Sequence, residues 1–87
     1  MSDLGDLTWK VCRRLGIQDP KQVQCIEDIL KNTILFNEYR VGSLDESQLE
    51  SFITLLGGYV SEISMISDDP DSYKAKVERI KQQIQVG

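Results

Sequence analysis

The chain contains no histidine. Its commonest source of a general base or a metal-ligating imidazole is therefore absent. There are only two cysteines, and two thiols without histidine do not make a tetrahedral zinc site of the usual kind. No glycine-rich phosphate loop occurs: the pair Gly57–Gly58 lacks a following lysine and a preceding strand. Adjacent acids such as Glu27–Asp28 and Asp68–Asp69 read as solvated charge, and no alternating acidic loop of the calcium-binding type is present. The expectation is a protein that is not an enzyme and carries no cofactor or metal.

Other shortages narrow the class further. No run approaches the ~20 apolar residues of a membrane-spanning helix, so no membrane role is expected. The start MSDLGDLTWK lacks the basic region and apolar run of a secretory signal, and Ser2 stands where myristoylation needs glycine. A cytoplasmic location is expected, with Cys12 and Cys25 reduced and buried as small hydrophobes. Basic charge is in deficit, with a net charge of −4. A general polyanion-binding surface is thereby disfavoured.

What is present is helical patterning from end to end. With 87 residues, 40% hydrophobic and 28% charged, the chain reads as a single helical domain spanning 1–87. Ser2, Asp3 or Asp6 can cap a first helix whose inner face is Leu4, Leu7, Val11 and Leu15, with Thr8 alongside. Gly16 followed by Ile17 predicts a Schellman stop. Trp9 lies off the inner face with Arg13 one turn later, so the two can stack. Lys10 and Arg14 extend this basic side.

Asp19, Pro20 and Gln22 predict the start of a second helix. Val23, Ile26, Leu30 and Ile34 form its inner stripe. Cys25, Ile29 and Phe36 form an adjacent one, interrupted by Asn32. The combined arc covers about half the wheel, more than a surface helix needs. Such a helix is either central or meets a partner. Asn37, Tyr39 and Gly42 mark its end.

The stretch from Ser43 to Ser67 predicts a long third helix and the middle of the fold. Ser43 and Glu46 match a capping box. Leu49, Phe52, Ile53, Leu56, Val60 and Ile63 share one face, widened by Tyr59 and Ile66. Beside it runs a stripe of small residues, Thr54, Gly57, Gly58, Ser61 and Ser64. Either the helix breaks at the glycine pair, or another helix, from this chain or a second copy, crosses closely there. Residues 67–72 form a turn that caps a fourth helix. Its seam, Tyr73, Val77, Ile80 and Ile84, either closes the bundle or forms a dimer contact.

Charge is unevenly placed: residues 41–72 carry seven acids and no base, whereas 73–87 carry four bases against Glu78. The basic flanks of the fourth helix suit the acidic flanks of the third. The expected fold is all-α, a small four-helix bundle. The expected function is a protein-interaction module, an accessory or inhibitory factor that binds another protein or itself. Its candidate partner-binding residues are Trp9, Arg13, Thr54, Gly57, Gly58 and Ser61. By analogy, its size and acidity suit the small inhibitors that compact phage and bacterial genomes encode. A variant has the acids of 45–71 mimic a nucleic acid. The alternative is nucleic-acid binding through Trp9, Lys10, Arg13 and Arg14, joined by the basic fourth helix.

Overall fold

In a computed structural model, residues 3–65 and 68–85 are described, and they form six α-helices and no strand. These are α1 (Asp3–Leu15), α2 (Pro20–Leu30), α3 (Ile34–Arg40), α4 (Glu46–Gly57), α5 (Val60–Ser64) and α6 (Pro70–Gln85). The expectations placed on Ser2, Ile66 and Ser67 lie outside the described residues. The fold is all-α as expected. The second and third predicted helices, however, are each divided in two.

The end of α1 follows its sequence signal. Gly16 takes the left-handed region at φ 71°. The Ile17 amide donates to Cys12 O at 2.9 Å and the Gly16 amide to Arg13 O at 3.3 Å. These two bonds are the Schellman pattern, and Ile17 is buried. Next, Asp19 caps α2 by accepting from the Lys21 amide at 2.8 Å, with Pro20 in the first turn.

The first division comes at Asn32, which sits in the left-handed region at φ 65°. Thr33 then serves both helices. Its hydroxyl donates to Leu30 O at 2.6 Å and accepts from the Phe36 amide at 3.1 Å. One buried side chain thus closes α2 and caps α3. The turn resets the helical phase, so Ile34, expected in the core, is 71% exposed.

A second Schellman motif ends α3. Gly42 has φ 79°, and the Ser43 amide donates to Glu38 O at 2.9 Å. Because that amide is already committed, the expected Ser43–Glu46 box does not form. The cap shifts two residues, to Asp45, whose amide donates to Gln48 Oε1 at 3.0 Å. Downstream, the Gly58 and Tyr59 amides turn back to Leu55 O and Leu56 O at 3.2 and 2.9 Å. The helix therefore breaks at the glycine pair. Gly58 is at φ −68°, so the break needs no left-handed residue.

The core places α1 and α2 in the middle, rather than the 43–67 stretch. Leu7, Val11 and Cys12 of α1 and Cys25, Ile26, Ile29 and Leu30 of α2 are fully buried. Both apolar stripes of α2 are thereby used within the chain. Phe52, Ile53, Leu56, Ile63, Val77 and Ile80 complete the core as expected. Val23 and Leu49 are only partly buried and pack against it. The seam of α6 closes the bundle on α2 and α4. Tyr73 reinforces this by donating its hydroxyl to Asp28. Burial first, and then that bond, push the Tyr73 phenol well above its usual range.

Burial also raises both free thiols, Cys12 and Cys25, to about 11. On the other flank of α6, Arg79 pairs with Glu62, and Lys76 donates to the carbonyls of Glu62 and Met65 at 3.2 and 3.0 Å. The expected match of a basic last helix to an acidic neighbour is formed here, with α5. No helix of the described residues is long and apolar enough to cross a membrane.

Candidate interaction surface

The outer face of α1 carries Trp9, which is 56% exposed. It borders a shallow depression completed by Cys12, Arg13 and the Gly16–Gln18 turn. The Schellman stop builds this rim, because it folds Ile17 inward beneath the exposed face. Arg13 forms no ion pair among the described residues. The expected stacking of Arg13 on Trp9 is not formed. The cations that do lie over rings are Lys10, 5.6 Å from the Tyr39 centroid, and Arg40, 6.0 Å from that of Phe36. Lys10 is drawn to α3 because Tyr39 packs at the edge of the core there.

The rest of the basic side of α1 is engaged by α4. Arg14 grips Glu50 with both guanidinium arms, the second at 2.7 Å. This contact holds the Glu50 carboxyl below its usual range and Arg14 above its own. Lys10, Arg13 and Arg14 share a depression of about 320 Å³ with Glu46, Glu50, Leu49 and Ile53. The groove between α1 and α4 is therefore of mixed charge, with Arg13 at its outer rim.

The small-residue stripe does not form one surface. Thr54 and Gly57 belong to α4, Gly58 caps it, and Ser61 and Ser64 belong to α5 beyond the break. All five are exposed. Thr54 and Ser64 return their hydroxyls to the carbonyls four residues back, at 2.9 and 2.8 Å. A methyl group on Gly57 would meet Leu15 Cδ2 at 3.7 Å, an ordinary contact. Among the described residues α1 comes near the stripe at Gly57, through Leu15, at ordinary contact distance, and all five stripe residues stay exposed, so the expected close crossing is not formed. Gly57 adjoins α1, but Ser61 sits on α5, which packs with α2.

No family model, curated protein or solved structure matches this chain.

Function must therefore be argued from the surface. No group of three metal-ligating side chains is assembled among the described residues. Among the described residues, four further large apolar side chains are exposed besides Trp9, namely Ile34, Val41, Leu55 and Met65. Periodicity alone could not flag Ile34, because Ile26, Leu30 and Ile34 keep helical spacing straight through the turn at Asn32. The dipeptide Asn32–Thr33, a left-handed stop followed by a cap residue, was the available signal. A cleft of about 200 Å³ lies beside Ile34, lined also by Phe52 and Ile84.

Proposed function

We propose that this chain is a small helical protein-interaction module that binds another protein through the Trp9–Arg13 face of α1. It acts as an accessory or inhibitory factor in the cytoplasm and performs no catalysis of its own. The reading takes the fold as a four-segment bundle with its second and third members interrupted. The observation that carries it is the exposure of Trp9, 56%, beside a guanidinium with no ion pair among the described residues. Tryptophan and arginine are the residue types most enriched at energetic centres of interfaces. An indole left in water gives up the burial that a partner surface would restore.

The buried thiols support the non-catalytic reading, since values of about 11 leave them protonated at neutral pH. Nucleic-acid binding is less well supported. Arg14, Lys21 and Arg79 are paired with carboxylates, and Lys76 is spent on helix-end carbonyls. The mimicry variant weakens for the same reason, because Glu50, Glu62 and Asp68 are the acids in those pairs.

The test is quantitative capture from an extract of the cell that encodes the chain. Wild type, Trp9→Ala and Arg13→Glu would be compared after matched folding is shown by circular dichroism. A partner retained by wild type and lost by both variants is expected. Salt-dependent binding of labelled oligonucleotides, abolished by Arg13→Glu, would overturn the reading in favour of nucleic acid.

A further inference from the structure

We propose that the cleft between α2 and α6 binds an acidic, partly apolar segment of a partner protein, with Lys31, Lys74 and Lys81 receiving its carboxylates. The inference rests on the interaction-module reading and names a partner chemistry for it, but it uses a different surface from Trp9.

The chain has six lysines, and three of them are engaged. Lys10 lies over the Tyr39 ring, Lys21 pairs with Asp68, and Lys76 donates to the carbonyls of Glu62 and Met65. The other three, Lys31, Lys74 and Lys81, form no ion pair among the described residues, and all three line one cleft of about 580 Å³. Lys31 is the C-terminal cap of α2. Lys74 and Lys81 lie two turns apart on α6, which packs against α2. Lys31 and Lys74 are exposed, and Lys81 is half-buried.

Two acids also line the cleft, Asp28 and Glu78. Asp28 is occupied within the chain: its Oδ1 accepts from the Gln24 amide group at 3.1 Å and its Oδ2 from the Tyr73 hydroxyl. Glu78 forms no ion pair among the described residues and stands between Lys74 and Lys81 in the sequence of α6. Three lysines against two carboxylates leave a local excess of one positive charge, on a chain of net charge −4. The rest of the lining is apolar, from Pro70, Val77 and the ring of Tyr73.

Charge density selects the occupant. Lys74 and Lys81 are about 10 Å apart along the axis of α6. Carboxylates two helical turns apart, or three residues apart in an extended chain, span the same distance. They leave apolar side chains between them to meet Pro70, Tyr73 and Val77. A nucleic acid instead brings a dense row of phosphates, which Asp28, Glu78 and the net charge of the chain oppose. A basic segment is repelled by the three lysines, and a purely apolar one would cover them without pairing them.

Selection from a random peptide library against immobilised wild type tests this, followed by fluorescence-anisotropy titration of the selected peptides. The variants are Lys31→Glu combined with Lys74→Glu, Lys81→Gln, Glu78→Gln and Trp9→Ala, with matched folding shown by circular dichroism. Lys31, Lys74 and Glu78 are exposed, so the core is left intact. Enriched peptides should combine aspartate or glutamate with apolar residues. Their affinity should fall about tenfold in the Lys31–Lys74 double variant and about threefold in Lys81→Gln. It should rise about twofold in Glu78→Gln, which removes the free acid from the rim, and stay unchanged in Trp9→Ala. A selection that yields no lysine-dependent acidic peptide overturns the proposal. Acidic peptides lost on Trp9→Ala alone would assign that chemistry to the Trp9 face and overturn this one. Lysine-dependent binding of a labelled oligonucleotide, tighter than that of every selected peptide, would overturn it in favour of nucleic acid. Lysine-dependent peptides, without any Trp9-dependent partner from the extract, would sustain this proposal and sink the Trp9 reading.

Discussion

Replacing single glycines by alanine should give opposite signs at two places in this small protein. Gly57 ends α4, is exposed, and has ordinary van der Waals space where a methyl group would go, 3.7 Å from Leu15 Cδ2. Alanine there costs no strain and restricts the unfolded chain, a gain of about 0.5–1 kcal/mol. For a domain of this size that raises the melting midpoint by about 2–8 °C. Gly16 also has open space around it, but at φ 71° an added Cβ clashes with its own backbone. Gly16→Ala should lose about 1–2 kcal/mol and would loosen the Schellman turn that buries Ile17. Thermal melts by circular dichroism at two protein concentrations measure both. A lowered midpoint for Gly57→Ala would refute the reasoning, because it requires an atom where the structure leaves space. If that loss grew with concentration, a second chain would be covering the stripe.

Further outcomes follow from other sites. Thr33→Ala removes one hydroxyl that serves two helix ends and should cost about 1–2 kcal/mol in urea denaturation, with Thr33→Ser restoring most of it. Phe52→Ala should cost about 3–5 kcal/mol, a large part of the stability of a domain this small, read from the same titration. Alkaline stability carries a sign set by the thiols. Their folded values of about 11 lie above the ordinary 9.0, so the stabilisation is complete below pH 9 and lost as pH rises toward 11. The loss reaches about 2–3 kcal/mol per thiol. Urea midpoints that stay flat between pH 8 and 11 would contradict this.

Helix ends were legible in the sequence where the signal involves neighbouring residues alone. Gly16–Ile17 and Asp19–Pro20 behave as read, and so do the core seam of α6 and the exposure of Trp9. Where two local signals compete, a third segment decides. Both Ser43–Glu46 and Asp45–Gln48 have capping-box spacing, and the end of α3 settles the choice by taking the Ser43 amide. Asn32 was hidden for a different reason. Asparagine tolerates the left-handed region at little cost, and Thr33 replaces the lost helical bonds, so apolar periodicity runs on through a real break. The glycine pair was legible as one of two alternatives. An unbroken helix from Ser43 to Ser67 would be about 38 Å long, more than the greatest extent of the folded chain, 36 × 28 × 19 Å. Breaking at Gly58 lets α5 turn back and bury Ile63 instead. The candidate partner-binding residues do not share one surface, since the break separates Ser61 from Thr54 and Gly57.

Salt should act differently on the fold and on the proposed partner contact. The ion pairs Arg14–Glu50, Lys21–Asp68 and Arg79–Glu62 all join different parts of the chain, and all are solvent-exposed. Exposed pairs contribute little to stability and are screened at moderate ionic strength. The core that holds the helices together is apolar, so added salt should leave the fold largely intact. Association is a different matter. A contact through Arg13 gains from attraction to a partner and weakens as that attraction is screened. Rising ionic strength should therefore weaken capture of the Arg13-dependent partner while the far-ultraviolet circular dichroism of the chain stays unchanged. A partner retained undiminished at high salt would place apolar contact through Trp9, rather than charge on Arg13, at the centre of the interface.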